Sequence, residues 1–388
     1  EPRGLVNTGN ICFANVVLQA LVHSGAFYVL FRDLAVVVPG NIGRRGLLRV
    51  QAWNEDPFVP EFLYDAMKEN KRFDSMQRGH QEDAEEFLGF FLDTLHEELL
   101  ALLSKHTPSS ALADTAGTNT SEGGGEDERE DAWLEVGKKN KVTVTRTTKA
   151  RESAITRIFG GKLRSVLRTP GAKDSVTLEP YQSLQLDIQP DYVRTVEDAL
   201  LHLTQSETVQ VHSASRGGAV DATKQVFVES LPPILVLHMK RFIYDAVGGV
   251  QKSQKIVSYG TTLEIKPEVL SPAQRSGKPV RYKLYGVVYH HGKFATGGHY
   301  TIDVLRQDHS EWIRIDDTHI APVTESEVAE PKKNDKVAYL LFYQRVEDGG
   351  EPQAPVTKPI STAQPHQQQQ MSGGAKPPPR VQPQRPVR

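Results

Sequence analysis

The sequence predicts an α+β fold, a helical lobe packed against an antiparallel sheet with a cleft at the junction, where ligand sites tend to lie. Two observations predict it. Residues 12 to 104 carry apolar side chains at helical spacing, whereas from Val142 onward the chain runs in short β-branched and aromatic segments parted by Gly, Pro and Asp. A third observation bounds it. The 388 residues are 38% hydrophobic and 24% charged and show no internal repeat, which suits a globular chain with a sizeable core and excludes a coiled coil.

The helices come first. Val17, Ala20, Leu21 and Ser24 can share one helical face, as can Ala84, Phe87, Phe91, Leu95 and Leu99 at spacings of three and four. The apolar run Leu34 to Val38 stops at Pro39, and no run approaches the ~18 apolar residues of a membrane-spanning helix. Residues 107 to 131 pass from Thr107-Pro108-Ser109-Ser110 through three glycines into Glu126-Asp127-Glu128, with almost nothing to bury, and read as an unfolded insert. Strands are expected over Ile155 to Val166, Leu184 to Ile188, Gln225 to Val228, Ile234 to His238 and Tyr282 to Tyr289, then over His299 to Val304, Trp312 to Ile315 and Val337 to Arg345. The end of the chain, from residue 347, holds nine of the 24 prolines and the Gln367 to Gln370 run, and reads as a disordered, partly polyproline tail.

Charge and cysteine content narrow the function. The net charge is −2, and the last forty residues hold five basic groups and one acidic, so the remainder is more acidic still and carries no electrostatic footprint for nucleic acid. No membrane partner is expected either, and the opening Glu1-Pro2-Arg3-Gly4 lacks the basic-then-apolar pattern of a signal region. Cys12 is the one cysteine, which excludes an intrachain disulfide and a Cys-rich zinc site. A long chain with a single thiol suits a reducing compartment, so the cytoplasm, with the nucleus beside it, is the expected location.

Cys12 can be a small buried hydrophobe or a nucleophile, and its neighbours favour the second reading. In Asn7-Thr8-Gly9-Asn10-Ile11-Cys12-Phe13 a Gly/Asn turn runs into an amphipathic helix, which puts the thiol in the first helical turn. Unpaired N–H groups and the helix dipole there favour a thiolate and can donate to an oxyanion, with the Asn7 side chain a further donor nearby in sequence. A thiol nucleophile needs an imidazole base and that base an orienting acceptor. Among thirteen histidines, His299 stands out in Gly297-Gly298-His299-Tyr300 at a strand start, where glycines permit close backbone approach or a slim substrate; a hairpin bulge with a surface histidine gives the same pattern. Trp312-Ile313-Arg314-Ile315-Asp316-Asp317 follows, and an antiparallel neighbour of the His299 strand would bring Asp316 to the imidazole, though paired aspartates also end strands as turn formers. Gly79-His80-Gln81-Glu82-Asp83-Ala84-Glu85-Glu86 opens a helix with four acids. Asp83 and Glu86, three apart, would share a face that could take a basic peptide, or simply complement the dipole.

Together these segments resemble the ubiquitin-specific cysteine proteases. Gly4 to Gln19 is similar to that family's cysteine box, Gln81 to Phe87 to its acidic helix, and Leu231-Pro232-Pro233-Ile234-Leu235-Val236-Leu237-His238-Met239-Lys240-Arg241-Phe242 to its central box. His290-His291-Gly292 through Tyr300, then Trp312 to Asp317, resemble its histidine box, and Ala338 to Tyr343 its ending. Within the family, Phe159 to Arg164, Thr195 to Leu200 and Val288 to Tyr300 resemble most the subfamily that works with a regulatory subunit of nuclear-transport-factor-like fold.

The resemblance implies a papain-like fold with helical thumb, antiparallel β palm and β fingers: a catalytic domain over 3–346, with thumb 3–106, the insert 107–131 and fingers and palm 132–346, then the tail 347–388. It implies hydrolysis after the C-terminal Gly-Gly of ubiquitin on protein conjugates through an acyl-enzyme thioester. Cys12 would be the nucleophile, His299 the base, Asp316 its orienter, with Asn7 in the oxyanion hole and Asp317 beside them. Gln81, Asp83, Glu86, His290, Gly297, Gly298 and Tyr300 would contact ubiquitin, the two acids through arginines of its tail. Many members hold the fingers with two Cys-x-x-Cys pairs around zinc. Here the corresponding stretches, 168–175 and 209–213, have no cysteine, so no metal or other cofactor is expected and strand packing alone would hold the fingers. Two rival readings are a catalytically retired ubiquitin-binding scaffold and a metal site at His290, His291 and His299.

Overall fold

The computed structural model describes residues 2–37, 57–76, 80–106, 132–137, 141–147, 151–213, 218–244, 249–275, 277–295, 297–329 and 336–346. The expected insert at 107–131 and the tail from 347 lie outside the described residues. Four helices form the thumb: α1 (Cys12–Val22), α2 (Gly25–Val37), α3 (Glu61–Glu69) and α4 (Ala84–His106). The face expected on α4 is the buried one, with Ala84, Phe87 and Leu95 fully buried. Helix α1 buries Val17, Ala20 and Leu21 as expected but ends at Val22. Ser24 instead starts α2, its carbonyl accepting from the Tyr28 N–H at 2.9 Å and its hydroxyl facing the Phe27 N–H at 3.5 Å.

The middle of the chain supplies β1 (Ala132–Gly137), β2 (Lys141–Thr147), α5 (Ala154–Phe159), β3 (Gly161–Arg168), β4 (Ser175–Tyr181), β5 (Ser183–Leu186), α6 (Val196–Leu203), β6 (Glu207–Ser213) and β7 (Gly218–Ser230). The strand expected over Ile155 to Val166 is thus half helix. Ser153 and Thr156 form a reciprocal capping box, which satisfies the first backbone donors and lets Ile155, Ile158 and Phe159 bury one helical face; the strand begins only at Gly161. The fingers sheet runs in the order β1-β2-β4-β3-β7-β6. Its own core among the described residues is small, Val166, Val176 and Phe227, with the Arg275 guanidinium lying over the Phe227 ring.

The rest of the chain builds β8 (Ile234–Met239), β9 (Phe242–Tyr244), β10 (Val250–Lys252), β11 (Thr262–Ile265), β12 (Val280–His291), β13 (His299–Leu305), β14 (Trp312–Asp316), β15 (His319–Val323), α7 (Glu325–Ala329) and β16 (Lys336–Val346). The palm sheet runs β15-β14-β13-β12-β16-β8-β5, with β11 also paired to β12 and β9 and β10 forming a separate hairpin. Its central strands are covered on both faces, which explains their unbroken apolar runs. Ile234, Val236, Leu340 and Phe342 face the thumb helices, whereas Leu235, Leu237, Leu341 and Tyr343 face α6 and α7 in a second core. Helix α1 packs across β13 and β12, so the first turn of α1 meets the start of β13. Among the described residues no single helix is long and apolar enough to cross a membrane.

Candidate active site

Cys12 is the first residue of α1 and is 3% exposed. The turn before it is shaped by left-handed backbone at Gly9 (φ 92°) and Asn10 (φ 61°), and the Asn7 side-chain oxygen accepts the Ile11 N–H at 3.0 Å. The Ala14 and Asn15 N–H groups reach the Ile11 carbonyl, so those of Cys12 and Phe13 precede any helical acceptor and point out of the first turn. The Gln81 amide nitrogen lies 4.0 Å from the thiol sulfur.

His299 opens β13, and Asp316 closes β14, the antiparallel neighbour of β13, in the register Ile302 opposite Ile315. That register brings His299 Nε2 within 2.6 Å of Asp316 Oδ1. The Cys12 thiol is the ring's other electrostatic partner. That thiol first and the Asp316 bond second push the imidazole up to about 9, against partial burial, so the ring holds a proton readily between the two.

Asp317 lies near the imidazole but gives its hydrogen bonds to other side chains. At φ 50° it occupies the turn after β14; its Oδ2 accepts from Asn7 Nδ2 at 2.9 Å, and its Oδ1 from Asn15 Nδ2 at 3.0 Å. Its carbonyl accepts the Leu5 N–H at 3.0 Å. Asn15, buried on α1, is in turn bonded by the Tyr64 hydroxyl at 3.1 Å, and Gln19, one helical turn further, donates to the Arg3 carbonyl at 2.5 Å. Sequence reasoning missed this pair. The available signal was two amides four residues apart on an otherwise apolar helix face, which is the spacing for reading an adjacent extended backbone.

The sites expected around the slot divide. Gly298 (φ 110°) packs so tightly that an added Cβ would sit 2.3 Å from the His291 carbonyl oxygen; Gly297 (φ 82°) has open space and needs glycine only for its backbone angle. His290 and Tyr300 are cross-strand partners in the core, 1% and 2% exposed, with ring centroids 4.7 Å apart. Burial first, then the Lys252 cation, push His290 down to about 3, so it stays neutral. Asp83 and Glu86 are electrostatic neighbours but differ in their partners. Asp83 sits just before α4, where its carboxylate accepts the Glu85 N–H at 2.7 Å and the Tyr339 hydroxyl at 2.6 and 2.7 Å. Glu86 is exposed, and its carboxyl lies above the usual range through partial desolvation and the neighbouring Asp83, Glu82 and Glu85 charges. Among the described residues the one convergence of potential metal ligands is His299, Asp316 and Asp317, which excludes His290 and His291.

A thiol at a helix start, an imidazole between it and a carboxylate, and a helical lobe against a sheet define a cysteine-type hydrolase. Residues 3–343 match the family described as ubiquitin carboxyl-terminal hydrolase. The chain is 44% identical over 381 residues to a probable ubiquitin carboxyl-terminal hydrolase 3 of Schizosaccharomyces pombe, covering 89% of this chain and 74% of that one. It is 39% identical over 391 residues to ubiquitin carboxyl-terminal hydrolase 10 of Rattus norvegicus, covering 89% of this chain but only 48% of that one. In fold it is similar to the solved SAGA Ubp8/Sgf11/Sus1/Sgf73 DUB module bound to ubiquitin aldehyde, with TM-score 0.64 and 21% identity, covering 89% of this chain and 70% of that one. The chain belongs to the ubiquitin carboxyl-terminal hydrolase family, and its site is that of a cysteine-type deubiquitinase.

Proposed function

We propose that this chain hydrolyses the bond after the C-terminal Gly-Gly of ubiquitin on protein conjugates. The observation that carries the reading is the His299 ring held between the Cys12 thiol and Asp316 at 2.6 Å. Cys12 Sγ attacks the glycine carbonyl carbon while its proton passes to His299. The oxyanion is met by the N–H groups of the α1 first turn and by the second amide hydrogen of Asn7, the first being held by Asp317. Collapse of the tetrahedral species breaks the C–N bond, and His299 gives its proton to the leaving lysine amine. Water then attacks the thioester as His299 accepts a proton, which returns to the sulfur when the carboxylate departs. Asp316 orients the ring and stabilises its cationic form throughout.

The glycine requirement has a physical reason: only a chain without side chains passes a narrow slot next to Gly297 and Gly298. Glu86 is the acid placed to receive an arginine of the ubiquitin tail, since an incoming cation relieves the crowded negative charge around it. Asp83 supports that surface from beneath rather than from the contact itself. The subfamily stretches support a separate regulatory subunit bound outside this chain, and the single thiol supports a cytoplasmic or nuclear setting.

Cleavage of a fluorogenic ubiquitin amide by wild type and Cys12→Ala tests the reading. Wild type should turn over and Cys12→Ala should not, while Cys12→Ala keeps ubiquitin affinity because binding draws on a broad surface. A ubiquitin bearing a C-terminal electrophile should bond to wild type alone. Activity surviving in Cys12→Ala would remove the thiol from the mechanism, and an inert wild type would leave the retired scaffold.

A further inference from the structure

The segment 292–298 joins β12 to β13 and delivers His299, whose cross-strand partner is His291. The neck of this loop is formed by two glycines with left-handed backbone, Gly292 (φ 97°) and Gly298 (φ 110°), packed so closely that a Cβ on Gly292 would stand 3.3 Å from the Gly298 Cα. Glycine necks are freely jointed, so something other than the loop's own sequence must fix its exit angle.

That fixing comes from the β9–β10 hairpin. Lys252, the last residue of β10, is 8% exposed, and its ammonium donates to the His290 carbonyl at 3.1 Å and the Gly292 carbonyl at 2.5 Å. Gln254 donates from the outside to the same Gly292 carbonyl at 3.1 Å. The segment carrying both residues is itself anchored. Arg241, 1% exposed, donates to the Ser253 carbonyl at 3.1 Å, the Lys255 carbonyl at 2.8 Å and the Ala338 carbonyl on β16 at 2.6 Å. A buried ammonium costs several kcal/mol of desolvation, and a lysine kept in such a place purely for bulk would be outdone by methionine.

We propose that Lys252 is a positioning residue for His299: its ammonium, aided by Gln254, ties the neck of the glycine loop to the β9–β10 hairpin and so sets the imidazole against the Cys12 thiol. The proposal rests on His299 acting as the base. It makes the hairpin and the loop one mechanical body, with Arg241 as the fixed point in the palm. His299 faces Cys12 from α1, Asp316 from β14 and His291 from β12, and a swing of the neck changes all three distances together.

The test uses the full chain with Lys252→Met, which keeps the stem and removes the donors, and independently the exposed Gln254→Ala. For the fluorogenic ubiquitin amide, kcat should fall about tenfold or more in Lys252→Met with KM moving less than about threefold, since a base misplaced by an ångström costs turnover rather than binding. The His299 titration midpoint, followed by NMR, should fall from about 9 as the ring drifts from the Cys12 thiol. Gln254→Ala should shift both readouts the same way by less, and Lys252→Arg should restore them in part. Wild-type kcat and an unmoved His299 midpoint in Lys252→Met would overturn the tether. If Lys252→Met fails to fold, the same null result in Gln254→Ala does so. His299→Ala distinguishes the two readings: turnover surviving there sinks the base assignment, whereas a dead His299→Ala beside a fully active Lys252→Met sinks the tether alone.

Discussion

Asp317 stands next to Asp316 in sequence, and both carboxylates lie near the imidazole, yet they hydrogen-bond different partners. Left-handed backbone at Asp317 turns its side chain toward Asn7 and Asn15, while Asp316 keeps the strand direction that faces His299. Asp317→Ala should therefore lower kcat by roughly tenfold to a hundredfold through loss of the Asn7 anchor, less than or comparable with loss of one oxyanion donor. It should leave the His299 titration midpoint, followed by NMR, near its wild-type position. Asp316→Asn should do the reverse to that midpoint, pulling it down from about 9 because the imidazolium loses its carboxylate. If Asp317→Ala moved the midpoint as far as Asp316→Asn, the division of labour would be wrong. The paired aspartates were visible in the sequence; their separate destinations were not, because they depend on one backbone angle.

At the scale of elements, the start of α4 mixes a structural acid with a surface one. Asp83 caps the helix and accepts the buried Tyr339 hydroxyl of β16, so it joins thumb to palm. Asp83→Ala should lower the urea midpoint, with a cost of about 1–3 kcal/mol for the orphaned hydroxyl and lost cap. Glu86→Lys should leave that midpoint unchanged and raise KM for ubiquitin substrates several-fold, as expected of an interfacial charge turned against its partner. A Glu86→Lys enzyme with wild-type KM would reduce the acid to a complement of the helix dipole. Most elements were legible, because amphipathic α4 and the doubly covered strands β8, β12 and β16 carry strong periodicity or long apolar runs. Helix α5 was not, since Ile155, Ile158 and Phe159 are good strand residues and only the capping box at Ser153 and Thr156 decides between the two. The glycine loop was legible as a place but not as a tether, because Lys252 lies 47 residues before His299 and nothing local links them.

Over the whole molecule, His23, His238, His290 and His291, all held neutral chiefly by burial, shape the response to acid. Burial pushes His238 down to about 4 and His290 down to about 3, against an unfolded value of about 6.5. Below pH ~6.5 the unfolded chain binds protons that the folded chain refuses, so stability is full above that value and is lost as the pH falls toward 4. His299 runs the other way: its raised value favours the folded state in acid and loses that contribution as the pH climbs through about 9. Urea midpoints measured from pH 7.5 to 5 should fall, and His238→Asn should flatten part of the slope; a level profile in the wild type would contradict the burial of these rings. The contact between Asn7 and Asp317 has a consequence in time. The thiol leaves the ribosome about three hundred residues before the hairpin that completes its surroundings, which at ordinary elongation rates is roughly 15–60 s. During that interval the nascent chain carries a cysteine without a base and an oxyanion loop without its brace. Hydrolysis cannot begin on any conjugate near the translating ribosome until β14 and the turn after it have emerged and docked, so a chain cut short before His299 would be a thiol-bearing fragment with no turnover at all.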